Sequence, residues 1–136
     1  MSLFNILLPY VDLLTDDKLG EWVLNTAGEG TLKSPKQMPF VSYSDVVVNL
    51  IRDVHTCWES TGMKDYVHLM QEHGISWKNS DMEQADVTKL PSTVILALLM
   101  GAVRAERFCD GALLAFLKNG SIQRWLIELK EREGRL

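Results

Sequence analysis

The sequence lacks the short motifs by which most enzyme classes are recognised. It contains no glycine-rich phosphate loop, no nucleophile elbow, no dinucleotide-binding fingerprint and no Cys/His spacing of the zinc-binding type. It has only two cysteines, Cys57 and Cys109, which are far apart, so we predict a reduced intracellular protein in which both thiols are packed. These absences favour a binding role over catalysis, and we therefore predict that the protein has no cofactor and no metal site.

Positive charge is also scarce. The 136 residues include 14 Lys and Arg against 18 Asp and Glu, which gives a net charge of −4. The basic residues form no stripe along the sequence. Because nucleic-acid binders gain affinity chiefly by neutralising phosphates, this composition argues against a nucleic-acid partner. The longest uncharged run, residues 90–103, is shorter than the roughly 20 residues that span a bilayer. The N-terminus also lacks the basic region of a signal peptide, so we expect a cytoplasmic protein without a membrane partner.

The hydrophobic pattern predicts a mostly α-helical single domain over residues 1–136. We expect a bundle of about five to six helices around a buried central helix, because residues 92–108 begin with three turns that are apolar all round. An earlier helix should start at a Ser44 cap, and the last helix at a Ser121 cap. The side chains predicted to face the core from these two helices are Val47, Leu50, Ile51, Val54 and Trp58 in the first, and Ile122, Trp125, Leu126 and Leu129 in the last.

A small β-hairpin is predicted near the N-terminus. Residues 21–25 and 38–43 have strand character, and the segment 27–36 between them is rich in Gly, Ser, Lys and Pro. Because two strands alone are marginally stable, this hairpin must lie against helices.

The most informative segment contains four charged residues, Arg104, Glu106, Arg107 and Asp110, with apolar sequence on both sides. Ionised groups are costly to bury unpaired, so this charge cluster is either a structural network or an exposed site. In the structural interpretation, the two arginines bond the last carbonyls of the central helix. Glu106 and Asp110 then pair with the arginines or cap the next helix.

Two functional interpretations of the charge cluster stay open. Arg104 and Arg107 could form an anion pocket with the amides at the start of the next helix, although the Asp110 carboxylate would compete for those amides. Alternatively, Glu106 and Asp110 could act as a carboxylate pair for a metal ion or for acid–base chemistry, with a further ligand from elsewhere in the fold. Cys109 lies within the same segment, and we expect it to be a packed thiol beside Phe108.

The same segment carries a resemblance to a known family. Residues 104–111, RAERFCDG, followed by a short helix, a glycine and a leucine-rich amphipathic helix, resemble an uncharacterised bacterial family with an R-x-[DE]-R-F-C-x-G core motif. The family pattern often has a Thr where this chain has Met100. The resemblance implies a bacterial or mobile-element origin and supports the helical fold, and it brings no activity and no catalytic residues.

We therefore predict a protein–protein interaction or adaptor module whose partner is an unknown protein or a second copy of the chain. The alternative is a small-molecule or anion-binding protein, or an enzyme, that uses Arg104, Glu106, Arg107 and Asp110.

Overall fold

The computed structural model describes residues 4–14, 19–23, 40–62, 65–109 and 111–133. Within these ranges helices predominate, and the predicted mostly helical fold with a small hairpin near the N-terminus is confirmed. In chain order the elements are α1 (Tyr10–Leu13), β1 (Gly20–Val23), β2 (Phe40–Tyr43), α2 (Asp45–Ser60), α3 (Tyr66–Glu72), α4 (Asn79–Gln84), a 3-10 helix (Val87–Lys89), α5 (Ser92–Ala105), α6 (Ala112–Lys118) and α7 (Ser121–Glu133). The described residues form seven α-helices against the five to six expected, and the two shortest, α1 and α4, have only 4 and 6 residues. The single-domain organisation stays a prediction.

Helix α5 lies at the centre of the core, as its all-round apolar pattern predicted. Residues 94–103 are all buried, and α2, α3, α6 and α7 pack around the helix. The helix ends at Ala105, three residues earlier than expected, and residues 106–108 form a turn. The charge cluster therefore begins in the last turn of α5 and continues into a turn at the edge of the core. No helix among the described residues is long and apolar enough to cross a membrane.

Helices α2 and α7 bury the faces that their periodicity predicted. In α2 the Ser44 hydroxyl caps the helix by accepting the Val47 amide at 3.4 Å, and Ile51 alone of the predicted stripe is half-buried. In α7 all four predicted core residues are buried. Ser121 is the first residue of α7, not its cap. Because the chain turns at Gly120, the Asn119 side chain accepts the Ser121 amide at 2.9 Å.

The two strands pair antiparallel with Gly20 opposite Tyr43. The predicted tip of the hairpin, residues 27–36, lies outside the described residues. A Cβ atom at position 20 would approach Tyr43 Cδ1 to 3.0 Å, so glycine at this position lets the Tyr43 ring pack closely against β1. The Ser44 amide donates to the Leu19 carbonyl at 2.9 Å, which joins the hairpin to the start of α2.

Tyr10 links α1 to α2. Its buried ring places the hydroxyl 2.5 Å from Asp53 Oδ2, to which it donates a hydrogen bond. Burial, together with the Asp53 carboxylate, raises the pKa of Tyr10 to about 12.

This pKa predicts how the contact depends on pH. The neutral phenol is favoured in the folded state, so its contribution to stability is complete below pH 10.0, the ordinary value, and is lost as the pH rises to about 12. We expect the Tyr10→Phe variant to be less stable than wild type at pH 8, by about 1 kcal/mol. The difference should shrink above pH 10 in urea unfolding followed by circular dichroism. A difference that stays constant up to pH 12 would contradict the assignment.

Candidate functional site

Glu106 lies in the turn between α5 and α6, where its carboxylate accepts backbone amides. Oε2 accepts the Gly111 amide at 2.9 Å and Oε1 accepts the Leu113 amide at 3.0 Å. The first amides of a helix have no acceptor within the helix, and a carboxylate beside them is stabilised by their partial positive charge. Gly111 has a φ of 90°, a left-handed conformation that favours glycine. Glu106 therefore caps α6 from a position in the preceding turn.

Tyr43 completes this network from β2. Its hydroxyl donates to Glu106 Oε1 at 2.7 Å and accepts the Leu114 amide at 3.1 Å. One carboxylate and one phenol thus accept the Gly111, Leu113 and Leu114 amides at the start of α6 and connect three elements of the fold. Sequence reasoning did not identify Tyr43 as a site residue; its position directly before the Ser44 cap of α2 was the available signal.

Arg104 and Arg107 have no acidic partner among the described residues. Neither forms an ion pair there, and Arg104 Nε is buried without a hydrogen-bond partner. The ion pair with Glu106 that the structural interpretation allows is not formed; the carboxylate accepts the Gly111 and Leu113 amides and the Tyr43 hydroxyl instead. Asp110, the fourth member of the charge cluster, lies outside the described residues.

The two arginines line an open cleft of about 410 Å³, which we call the arginine cleft. Its walls come from β2, α2 and the end of α5, through the side chains of Tyr43, Ile51, His55, Val103, Arg104, Glu106 and Arg107. The volume is within the range of roughly 300–1,000 Å³ that is usual for small-molecule sites.

His55 is the titratable residue that sequence reasoning missed in this cleft. Burial and the nearby charge of Arg104 lower its pKa, against the opposing effect of Glu59, and Arg107 lowers it further. Because the ordinary value is 6.5, the imidazole is neutral at pH 7. The available signal was its spacing: His55 follows Ile51 by four residues and shares its helix face at the edge of the apolar stripe.

The chemistry of the arginine cleft is that of an anion receptor. Guanidinium groups bind carboxylate, phosphate and sulfate oxygens through paired, charge-assisted hydrogen bonds, and an imidazole can add a further donor. Among the described residues no group of three or more His, Cys, Asp and Glu side chains could hold a metal ion. The carboxylate pair of Glu106 and Asp110 is untested, since only Glu106 is described.

The expectation that Cys109 is a packed thiol is wrong. Cys109 is exposed, and the Phe108 ring beside it is 77% exposed. Because α5 ends at Ala105, the following turn carries both side chains away from the helix face that enters the core. Cys57, in contrast, is buried as predicted, and burial raises the pKa of its thiol to about 11.

Substitutions should show that Glu106 stabilises the fold and that Arg104 and Arg107 do not. Glu106→Gln replaces a charged acceptor by an amide group and leaves helix amides without a partner. We therefore expect a loss of about 1–3 kcal/mol in the free energy of unfolding. Arg104→Met and Arg107→Met break no ion pair, so they should stay within about 0.5 kcal/mol of wild type or exceed it. Urea unfolding measures all three. A loss of about 3–5 kcal/mol in either arginine variant would instead indicate a buried structural network.

The chain matches a family model over nearly its whole length. Residues 4–134 match a family of unknown function, whereas no curated protein and no solved structure matches the chain. The match covers nearly the whole chain, including both strands, the seven α-helices and the arginine cleft. It confirms the predicted membership of an uncharacterised family. The chain belongs to the family of unknown function DUF6508.

Proposed function

We propose that this protein binds a small anionic molecule in the arginine cleft. This is the second of the two functions that the sequence left open. The observation that carries it is the pair Arg104 and Arg107, two cations without an acidic partner among the described residues, on the wall of an open cleft of about 410 Å³.

The hydrogen bonds of Glu106 leave the two guanidinium groups available to a ligand. Glu106 lines the same cleft, but its oxygens accept the Gly111 and Leu113 amides and the Tyr43 hydroxyl, and it forms no ion pair with either arginine. Arg104 Nε, buried and without a hydrogen-bond partner, is left with an unmet donor. A buried donor without an acceptor costs free energy, and an anion that accepts from it would recover that cost.

His55 adds a proton-dependent charge to the same cleft. It is neutral at pH 7 because of burial and the nearby arginines. An anion bound beside the imidazole would offset the repulsion from Arg104 and Arg107, so the pKa of His55 should rise when the anion binds. Anion binding and proton uptake would then favour each other.

The other functional expectations stay predictions. A protein-interaction or adaptor role has one favourable observation, the 77% exposed ring of Phe108. The bacterial or mobile-element origin, the cytoplasmic location, the protein partner or self-association and any catalytic turnover rest on the sequence alone.

Sulfate is a suitable first probe, because its charge is constant between pH 5 and pH 8. We expect it to bind wild type saturably in isothermal titration, and Arg104→Met or Arg107→Met to weaken that binding about tenfold or more. The reason is that hydrogen bonds to charged groups contribute roughly 1.5–3 kcal/mol and 1.4 kcal/mol is tenfold in affinity.

Lys89→Met is the matched control for this experiment. It removes the same charge from an 83% exposed side chain in the 3-10 helix that precedes α5. Arg104 lies at the other end of α5, so the length of that helix, roughly 20 Å, separates the two positions. Because sulfate also stabilises proteins by exclusion from their surface, a rise in Tm alone is not informative. Equal sulfate affinity in wild type and in both arginine variants would refute the proposal.

The pH dependence of sulfate binding tests the contribution of His55. Its lowered pKa means that the imidazole becomes charged only as the pH falls below 6.5, so sulfate affinity should increase from pH 7.5 to pH 5.5. The His55→Gln variant should lose most of this increase. Titrations in two buffers of different ionisation enthalpy would report the proton taken up. An unchanged pH profile in His55→Gln would exclude this role.

A further inference from the structure

Four aromatic rings form a continuous row from the core to the surface beside the last turn of α5. We call Trp58, Tyr66, Trp77 and Phe108 the aromatic row. Successive ring centroids are 6.1, 5.9 and 5.5 Å apart, and each contact is edge-to-face. The row begins at Trp58, which is 4% exposed, and ends at Phe108, which is 77% exposed.

The outer part of the row has a fixed geometry. Trp77 Nε1 donates to the Gly101 carbonyl at 3.0 Å, and a Cβ atom at Gly101 would lie 3.4 Å from Trp77 Cδ1. The indole therefore lies directly against the backbone of α5. Its edge-to-face contact with Phe108 follows the geometry that aromatic pairs prefer.

Trp77 and Phe108 border a second opening, which we call the aromatic groove. Its volume is about 190 Å³, and it is lined by Trp77, Ala105, Phe108, Cys109 and Ala112. The small side chains of the two alanines leave room beside the rings. Because an apolar cavity of about 150 Å³ is enough to hold benzene, the aromatic groove is large enough for one six-membered ring.

The aromatic groove and the arginine cleft lie on adjacent sides of the last turn of α5. Arg104 lines the arginine cleft, and Ala105, the next residue, lines the aromatic groove. Tyr66 is near residues of both: its ring contacts Trp77, and the charges of Arg104 and Arg107 act on its hydroxyl, opposing the increase in pKa that burial causes. Positive charge and an exposed aromatic surface thus meet at one place on the molecule.

We infer that the anion bound by Arg104 and Arg107 carries an aromatic ring, and that this ring lies in the aromatic groove against Trp77 and Phe108. The inference rests on the proposed function and names its ligand class, a small aromatic sulfate, phosphate or carboxylate. Charge complementarity selects the anionic group, and the size and aromatic walls of the groove select the ring. The inference also gives a role to Phe108, because its exposed ring contributes little to the packing of the core.

Phenyl sulfate and methyl sulfate are the matched probes, because they carry the same charged group and differ only in the ring. We expect phenyl sulfate to bind wild type at least tenfold more tightly than methyl sulfate in isothermal titration. In the Phe108→Ala variant the ratio of the two Kd values should fall towards one. The Arg104→Met variant should bind both phenyl sulfate and methyl sulfate more weakly than wild type does. The exposed position of Phe108 means that its substitution leaves the core intact.

Cys109 gives a second measurement that is local to the aromatic groove. It is exposed and lines the groove, whereas Cys57 is buried, so iodoacetamide should alkylate Cys109 first. Saturating phenyl sulfate should slow this reaction several-fold, as followed by mass spectrometry. Methyl sulfate at the same occupancy should not slow it.

The outcomes separate this inference from the proposed function. Equal Kd values for the two probes, with affinity that still depends on Arg104, would overturn the inference that the ligand is aromatic. The proposed anion site would then still hold. A phenyl preference that survives in Phe108→Ala, or that leaves the alkylation rate unchanged, would also overturn it, since the ring would then lie elsewhere. If sulfate, methyl sulfate and phenyl sulfate all fail to bind, the proposed function itself fails.

Discussion

The arrangement of this site depends on one carboxylate. Glu106 accepts the Gly111 and Leu113 amides and the Tyr43 hydroxyl, so it joins the turn after α5 to the start of α6 and to β2. Without it, the first turn of α6 would have free amides in a partly buried position, where water could replace the carboxylate only in part. The turn between the two helices is therefore determined by polar contacts, while the bodies of the helices are determined by apolar packing.

The use of Glu106 as a helix cap has an electrostatic consequence. Arginines at a helix end can pair with a nearby acid or bond the last carbonyls of the helix. Here the adjacent acid accepts other donors, and among the described residues Arg104 and Arg107 have neither kind of partner. The carboxylate stabilises the turn after α5, and the two guanidinium groups form no ion pair with it on the cleft that all three side chains line.

The helices could be predicted from the sequence because their signals are local. Residues 94–103 are apolar all round, and the stripe in α2 repeats at helical spacing from a serine cap. The site could be predicted only in part. The charged segment was identifiable, but the bond between Tyr43 and Glu106 joins residues 63 apart, and no local pattern reports it. Periodicity also could not show that α5 stops at Ala105, because Glu106 and Arg107 are compatible with a helix. Hence the exposure of Phe108 and Cys109 was missed.

The end of α5 relates these observations to one another. If the helix had continued to residue 108, its side chains would have followed the helical spacing, and Glu106 could not have reached amides five and seven residues ahead. The early stop lets the chain reverse, so that Ala112, the first residue of α6, forms a wall of the aromatic groove. The same stop leaves Arg104 and Arg107 on the arginine cleft. Cap, cleft and groove are thus consequences of one turn, and a change in Glu106 would disturb all three.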